Sequence, residues 1–148
     1  MKKSVIILIA LIYVVSIALV SFFGLQFKVF EEEIYVERIE IQNSYVYNNQ
    51  QYPKYKAETN PDTGETTQVP YFIIEPNANG ERVFQIEYRV YPDNATNGKA
   101  LFSIDDSIQG VSVSEDGLVR FEKSGAATVY ITPADGSDFM TKIIIIAK

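Results

Sequence analysis

From Val5 to Leu25 the chain runs for 21 residues without a single charged side chain. As a helix rising about 1.5 Å per residue, that run is roughly 31 Å long, the thickness of a bilayer hydrocarbon core. Lys2 and Lys3 stand before it, and Glu31, Glu32 and Glu33 come soon after. Basic residues favour the cytoplasmic side of a span. The expected arrangement is therefore a single-pass helix over residues 1–27 in the cytoplasmic membrane. Residues 5–27 contact lipid, the N-terminus is inside and the C-terminal domain extracytoplasmic.

A cleaved signal peptide is the competing reading, since Ser16-Ile17-Ala18 has small residues at the spacing a signal peptidase requires. Cleavage after Ala18 would leave LVSFFGLQF as an exposed apolar terminus, so an uncleaved signal anchor is favoured. Ala10, Ala18, Ser21 and Gly24 fall within about a third of the helix circumference. Such small residues permit close helix packing in lipid.

The chain beyond the span is acidic. Two of the 13 basic residues, Lys2 and Lys3, precede Lys28, so from there onward 11 basic residues face 19 acidic ones, a net charge of −8. Nucleic acid is not an expected partner, because phosphate binding needs clustered Lys and Arg. Cys and His are both absent, which removes thiolate and imidazole metal sites and every nucleophile pair built on them. No catalytic residue, cofactor or metal is expected, and the chain is read as a non-enzyme. The acidic pairs Asp105-Asp106, Glu115-Asp116 and Asp135/Asp138 lack the spacing of a calcium loop. They are read as solvated loop residues.

Beyond a juxtamembrane acidic spacer at 28–35, the pattern is that of strands. Arg82 to Tyr91 alternates, with Phe84, Ile86, Tyr88 and Val90 on one face and Val83, Gln85, Glu87 and Arg89 on the other. Further strands are expected at Val36–Ile41, Ala100–Ile104, Gly110–Ser114, Leu118–Glu122, Ala127–Thr132 and Phe139–Ala147. Gln68–Glu75 is another, which Pro70 should confine to an edge or to its first residues. Short strands punctuated by Gly, Asn, Asp and Pro at about ten-residue spacing suggest an all-β sandwich or barrel.

Asp116-Gly117 and Ser124-Gly125 bracket Leu118–Glu122 as two turns. The expectation is a meander that sets three consecutive strands side by side, with Val119 and Phe121 on the face opposite Leu118, Arg120 and Glu122. Ala126-Ala127 would let the third strand pass close to its neighbours.

The run from Tyr91 to Ala147 resembles the bacterial Ig-like domain of the group 2 type. The matching features are Pro92 with Asn94-Ala95-Thr96, Phe102-Ser103, Asp105-Asp106, Val111 and Val113. Gly117-Leu118-Val119 comes next, then Gly125 leading through Ala127-Thr128-Val129 to a terminal β run. With the strand upstream, the likeness covers residues 82–147. It implies an Ig-like β-sandwich at 36–148 behind the single transmembrane α-helix, of a kind common in adhesins and envelope proteins. Three departures are visible. Phe102 stands where the family usually has Trp, Gln109-Gly110 alters the mid-domain strand, and an insertion at about 43–75 lengthens the first half.

That insertion holds Tyr45, Tyr47, Tyr52, Tyr55 and Tyr71, five of the ten tyrosines. Tyrosine gives large amphipathic contact area, so these five are candidate partner-binding residues. Alternatively they line the outer face of a β-hairpin. Asn60-Pro61-Asp62-Thr63-Gly64 resembles a sortase sorting signal, but it lies mid-chain and is read as a turn. Of the four isoleucines Ile143–Ile146, only alternate ones can face a core. Ile144 and Ile146 therefore need cover from the insertion, the membrane-proximal segment or another chain, and they join the candidate partner-binding set. The expected function is a structural or accessory subunit of a membrane or envelope assembly, with a protein partner of unknown identity. The alternative is an anchored module for adhesion or ligand binding.

Overall fold

Helix α1 spans Lys3–Gln26 in the computed structural model, which describes residues 2–26 and 32–148. Isoleucine, leucine, valine and alanine fill it, and its apolar side chains from Val5 to Phe23 are exposed. A helix satisfies its own backbone hydrogen bonds, which is what a hydrocarbon solvent demands. The segment Lys3–Gly24 is long and apolar enough to cross a membrane. Met1 and residues 27–31, which include the end of the expected span and Glu31 of the spacer, lie outside the described residues.

The chain divides into one unit at Met1–Glu33 and a second at Ile34–Lys148. The second opens at Ile34, earlier than the expected residue 36, because two reciprocal bonds fasten it. Ile34 N–H donates to Thr96 Oγ1 at 2.9 Å, and Thr96 N–H donates to the Ile34 carbonyl at 2.8 Å. Val36 N–H then donates to Asp135 at 2.6 Å. Asn94-Ala95-Thr96 is thus an anchoring loop.

This unit is mostly β. Its largest sheet has five strands in the order β4 (Lys54–Thr59), β5 (Thr66–Ile74), β12 (Thr141–Ala147), β11 (Gly125–Pro133) and β8 (Ala100–Ile104). All neighbours are antiparallel except β5 and β12, which run parallel from Ile144 opposite Tyr71. A three-stranded sheet orders β6 (Arg82–Gln85), β10 (Leu118–Phe121) and β9 (Val111–Val113). Strand β1 (Arg38–Ile41) pairs with β7 (Tyr88–Tyr91), and β2 (Tyr45–Tyr47) pairs with β3 (Gln50–Tyr52).

The expected single strand at Arg82–Tyr91 changes partner midway. Its first half lies against β10 and its second against β1. Asn43 spans the changeover: its side-chain oxygen accepts from Glu87 N–H and its side-chain nitrogen donates to the Gln85 carbonyl, both at 2.8 Å. Phe84 and Ile86 are buried, and Tyr88 and Val90 half-buried, so the predicted face persists through the switch.

The three-strand meander does not form. Gly117, at φ +80°, closes a tight turn between β9 and β10, with Ser114 N–H donating to the Leu118 carbonyl at 3.0 Å. Strand β11 instead enters the other sheet. Both sides of β10 are taken by β6 and β9, and both sides of β11 by β8 and β12, so no side remains for a β10–β11 pairing. Ser124-Gly125 is a crossover, and Gly125 lacks the positive φ of a tight turn.

The insertion, expected to hold a strand at Gln68–Glu75, is built of strands throughout. Residues 43–75 hold four strands, and β5 lies inside the largest sheet. Pro70 is tolerated there because the β12 pairing starts one residue later, at Tyr71. At Pro70 the strand has only β4 beside it, so the missing N–H interrupts no two-sided ladder.

A single core cluster joins these elements. Phe72, Val129, Ile131, Ile143 and Ile145 come from the five-stranded sheet, and Phe84, Val119 and Phe121 from the three-stranded one. The Phe72 and Phe84 rings meet with centroids 4.9 Å apart. Full burial of each such side chain stabilises by about 1.5–3 kcal/mol.

Candidate functional site

Alternation along β12 sends Ile143 and Ile145 inward at 0% exposure and leaves Ile144 and Ile146 on the opposite face, half-buried. The register then brings their neighbours into place. Tyr71 lies beside Ile144 and Ile73 beside Ile146 on β5, while Ala126 faces Ile146 from β11. Together with Tyr55 and Lys56 of β4 they line an open groove of about 620 Å³. Four of the expected partner-binding residues, Tyr55, Tyr71, Ile144 and Ile146, therefore meet at one place. Tyr55 is the most displayed of the tyrosines in the insertion, at 61% exposure.

Tyr45, Tyr47 and Tyr52 are used differently. Asn48 and Asn49, at φ 49° and 59°, turn the chain tightly between β2 and β3. Asparagine tolerates that left-handed backbone better than most residues. The hairpin folds its rings inward. Tyr45 stacks on Tyr52 at 5.6 Å and on Phe72 at 6.0 Å, while Tyr47 and Tyr71 each set an edge against Tyr52. The Tyr45 hydroxyl donates to the Ile73 carbonyl at 2.6 Å, and Tyr47 donates to Glu75 at 2.5 Å. Burial pushes the Tyr45 hydroxyl pKa up. Tyr52, at 2% exposure, offers a partner almost no surface.

Charge is sparse in the groove, where Lys56 is the one ionisable amine along the lining. Beyond its end, Lys142 on β12 donates to Glu58 on β4 at 2.5 Å, crossing β5 on the face where Val69 is buried. That hydrogen bond, more than Coulomb attraction, holds the Glu58 carboxyl below its ordinary range despite partial desolvation. This arrangement suits non-covalent contact with an apolar or aromatic surface.

Asp105 and Asp135 serve local structure. Asp105 accepts from Ser107 N–H at 2.9 Å, and Asp135 accepts from Ser137 and Val36. Bonds from the Ser137 side chain and from Val36 N–H hold Asp135 below the usual carboxylate range. Among the described residues, no group of three or more acidic side chains is placed to hold a metal ion. Asn60-Pro61-Asp62-Thr63-Gly64 is the β4–β5 turn. Asn60 Oδ1 accepts from Asp62 N–H at 2.8 Å, and Gly64 sits at φ +72°. Ala10, Ala18, Ser21 and Gly24 all lie within α1.

Ile73, Lys56 and Ala126 are the groove residues that sequence reasoning missed. Ile73 could have been found from the alternation of Tyr71, Phe72, Ile73 and Ile74. Ala126 could not, because its place depends on its register with Ile146. No family model matches this chain, and no curated protein matches it.

Proposed function

We propose that this chain is a single-pass membrane protein holding an Ig-like β-sandwich of the bacterial group 2 type outside the cytoplasmic membrane. In this reading it is a non-enzymatic structural or accessory subunit of a membrane or envelope assembly, and the groove beside Ile144 and Ile146 seats a neighbouring protein. Strand order is the observation that carries the fold part. An Ig sandwich orders its strands C-F-G in one sheet and A-B-E-D in the other. Taking β1 as A, β6 with β7 as B, and β8 to β12 as C to G reproduces both orders, β8-β11-β12 and β1-β7/β6-β10-β9. Strands β4 and β5 then extend the first sheet past G.

The apolar helix behind Lys2 and Lys3 supports the anchor and its orientation. A domain tethered so near a bilayer is poorly placed to reach another cell, which favours the subunit over an adhesin. Tyr55 favours the second reading, a ligand-binding module, since it displays an aromatic ring at the groove edge.

Two measurements test the proposal. Protease added outside intact cells should digest residues 34–148 and spare the N-terminus. Crosslinking in native membranes should trap a stoichiometric neighbouring protein through a photoreactive residue at Tyr55. A protected β unit refutes the orientation, and a free monomer refutes the subunit.

A further inference from the structure

The five-stranded sheet ends at two free edges, β4 and β8. Natural proteins blunt such edges with charge, since unpaired backbone groups invite another strand. Strand β4 carries Lys54, Lys56 and Glu58, whereas β8 reads Ala-Leu-Phe-Ser-Ile and carries no charge. Its bonding to β11 decides which backbone groups are spent. Ala134 N–H donates to the Lys99 carbonyl at 2.9 Å, so Lys99, Leu101 and Ser103 direct their backbone groups into the sheet. Alternate residues of a strand direct theirs the opposite way. Ala100, Phe102 and Ile104 therefore point outward. The Ala100 N–H meets the Tyr88 hydroxyl at 3.3 Å, while Phe102 and Ile104 have no strand on that side.

We propose that β8 pairs antiparallel with β8 of a second copy about a two-fold axis at Phe102, joining two five-stranded sheets edge to edge. This register sets Ala100 opposite Ile104, Leu101 opposite Ser103 and Lys99 opposite Asp105. Charge complementarity selects it. Lys99 is exposed and makes no ion pair among the described residues, and symmetry brings it against Asp105 twice. Asp105 is exposed and accepts from Ser107 N–H through one carboxylate oxygen. The pleat stays in step, because Ala100, Phe102 and Ile104 remain on the core side in both copies. Leu101, 58% exposed in one copy, gains a neighbour across the axis. Phe102 exchanges both backbone bonds with its symmetry mate, and each Ile104 N–H donates to the other copy's Ala100 carbonyl. Each Ala100 N–H stays with Tyr88. The pairing uses residues of the β unit alone and holds whether or not the accessory role does.

Because the chain contains no cysteine, introduced cysteines report the register directly. Residues facing each other at a non-hydrogen-bonded antiparallel position have Cα atoms about 4.5 Å apart, within disulfide reach. The same position in the two copies lies on a diagonal of about 7–8 Å, too far for a strain-free bridge. Full-length Leu101→Cys and Ser103→Cys chains with different tags are co-expressed and oxidised in membranes. A disulfide dimer carrying both tags, with none above background from either variant alone, is the expected result. No dimer from the mixture, equal dimer from each variant alone, or a bridge to a different protein overturns the proposal. Detergent-solubilised wild type should also have a protein mass twice its 16.7 kDa monomer, and Leu101→Lys should halve it. A monomeric wild type, or a Leu101→Lys variant that stays dimeric, overturns it as well.

Discussion

The two edges of the five-stranded sheet are built in opposite ways. At β4 the chain brings charge and a supporting hairpin. Lys54 lies over the Tyr52 ring at 5.4 Å and donates to Gln50, Lys56 stands exposed, and Glu58 reaches across β5 to Lys142. At β8 there is no charge, and cover comes from below, where Phe102 packs edge-on to Tyr88 at 5.6 Å and against Gly117. The β4 edge is thus defended against other strands by its side chains, and the β8 edge is left able to accept one. Stability in the two regions should obey the same division. Aromatic packing under the hairpin carries the β4 side, close backbone approach carries the β8 side, and the charges contribute least.

The sharpest way to break this contrast is to change two tyrosines three residues apart. Tyr52→Ser removes a ring touched by Tyr45, Tyr47 and Tyr71, at 2% exposure, and should cost about 4 kcal/mol, the scale of emptying an aromatic core site. Tyr55→Ser removes a ring that is 61% exposed and should change stability by less than about 0.5 kcal/mol. Denaturant unfolding of the full chain in detergent, followed by the β signal in circular dichroism, measures both. Equal losses would mean the hairpin is not seated as described. Crosslinking from Tyr55 should survive Tyr71→Phe and fall when Ile144→Asp puts a charge in the groove.

Next in size is a glycine comparison. Gly117 sits at φ +80°, and a Cβ there would lie 2.9 Å from the Phe102 ring of β8, whereas Gly64 in the β4–β5 turn sits at φ +72° with open space around it. Left-handed backbone alone costs alanine about 1–2 kcal/mol, and forcing a methyl group against a packed ring adds about 1–3. Gly117→Ala should therefore lose about 3 kcal/mol and Gly64→Ala about 1. Phe102→Leu in the Gly117→Ala background should recover part of the loss, since the smaller side chain relieves the contact. No recovery would assign the whole effect to backbone strain.

Much of this architecture is legible in the residues, and the gaps have a common cause. Alternation alone locates β8, β10 and β12 and sorts Val119 from Arg120 and Ile145 from Ile146. It is blind to the neighbours beside a strand. Arg82–Tyr91 therefore reads as one strand although Asn43 bridges a change of partner, and Ser124-Gly125 reads as a hairpin although it crosses between sheets. The β2–β3 hairpin had a signal in Asn48-Asn49, two residues suited to positive φ between Tyr-Val-Tyr and Gln-Gln-Tyr. Tyrosine is amphipathic, however, and composition cannot say whether its ring or its hydroxyl will face water. Here the hydroxyls of Tyr45 and Tyr47 find acceptors while the rings turn inward. The groove was half legible for the same reason. Ile144 and Ile146 are given by period two, but their neighbours depend on a parallel pairing with β5 that joins residues far apart in the chain.

The smallest effect separates the charges of the β4 face by geometry. Glu58 has its carboxyl pKa lowered from an ordinary 4.5, first by the Lys142 hydrogen bond. A carboxyl held lower in the folded chain than in the unfolded one binds fewer protons when folded. Its stabilisation is therefore complete above pH 4.5 and disappears as the pH falls through the lowered value. Glu58→Gln should cost less than about 1 kcal/mol at neutral pH, and less again at about 1 M salt. Its difference from wild type should vanish in acid. Arg120 of β10 and Glu81, which immediately precedes β6, stand 3.6 Å apart with both side chains half exposed. Glu81→Gln should leave stability at neutral pH unchanged within about 0.5 kcal/mol. If the two substitutions behave alike, the bond across β5 is an ordinary surface pair, and the β4 edge is held by its aromatic rings alone.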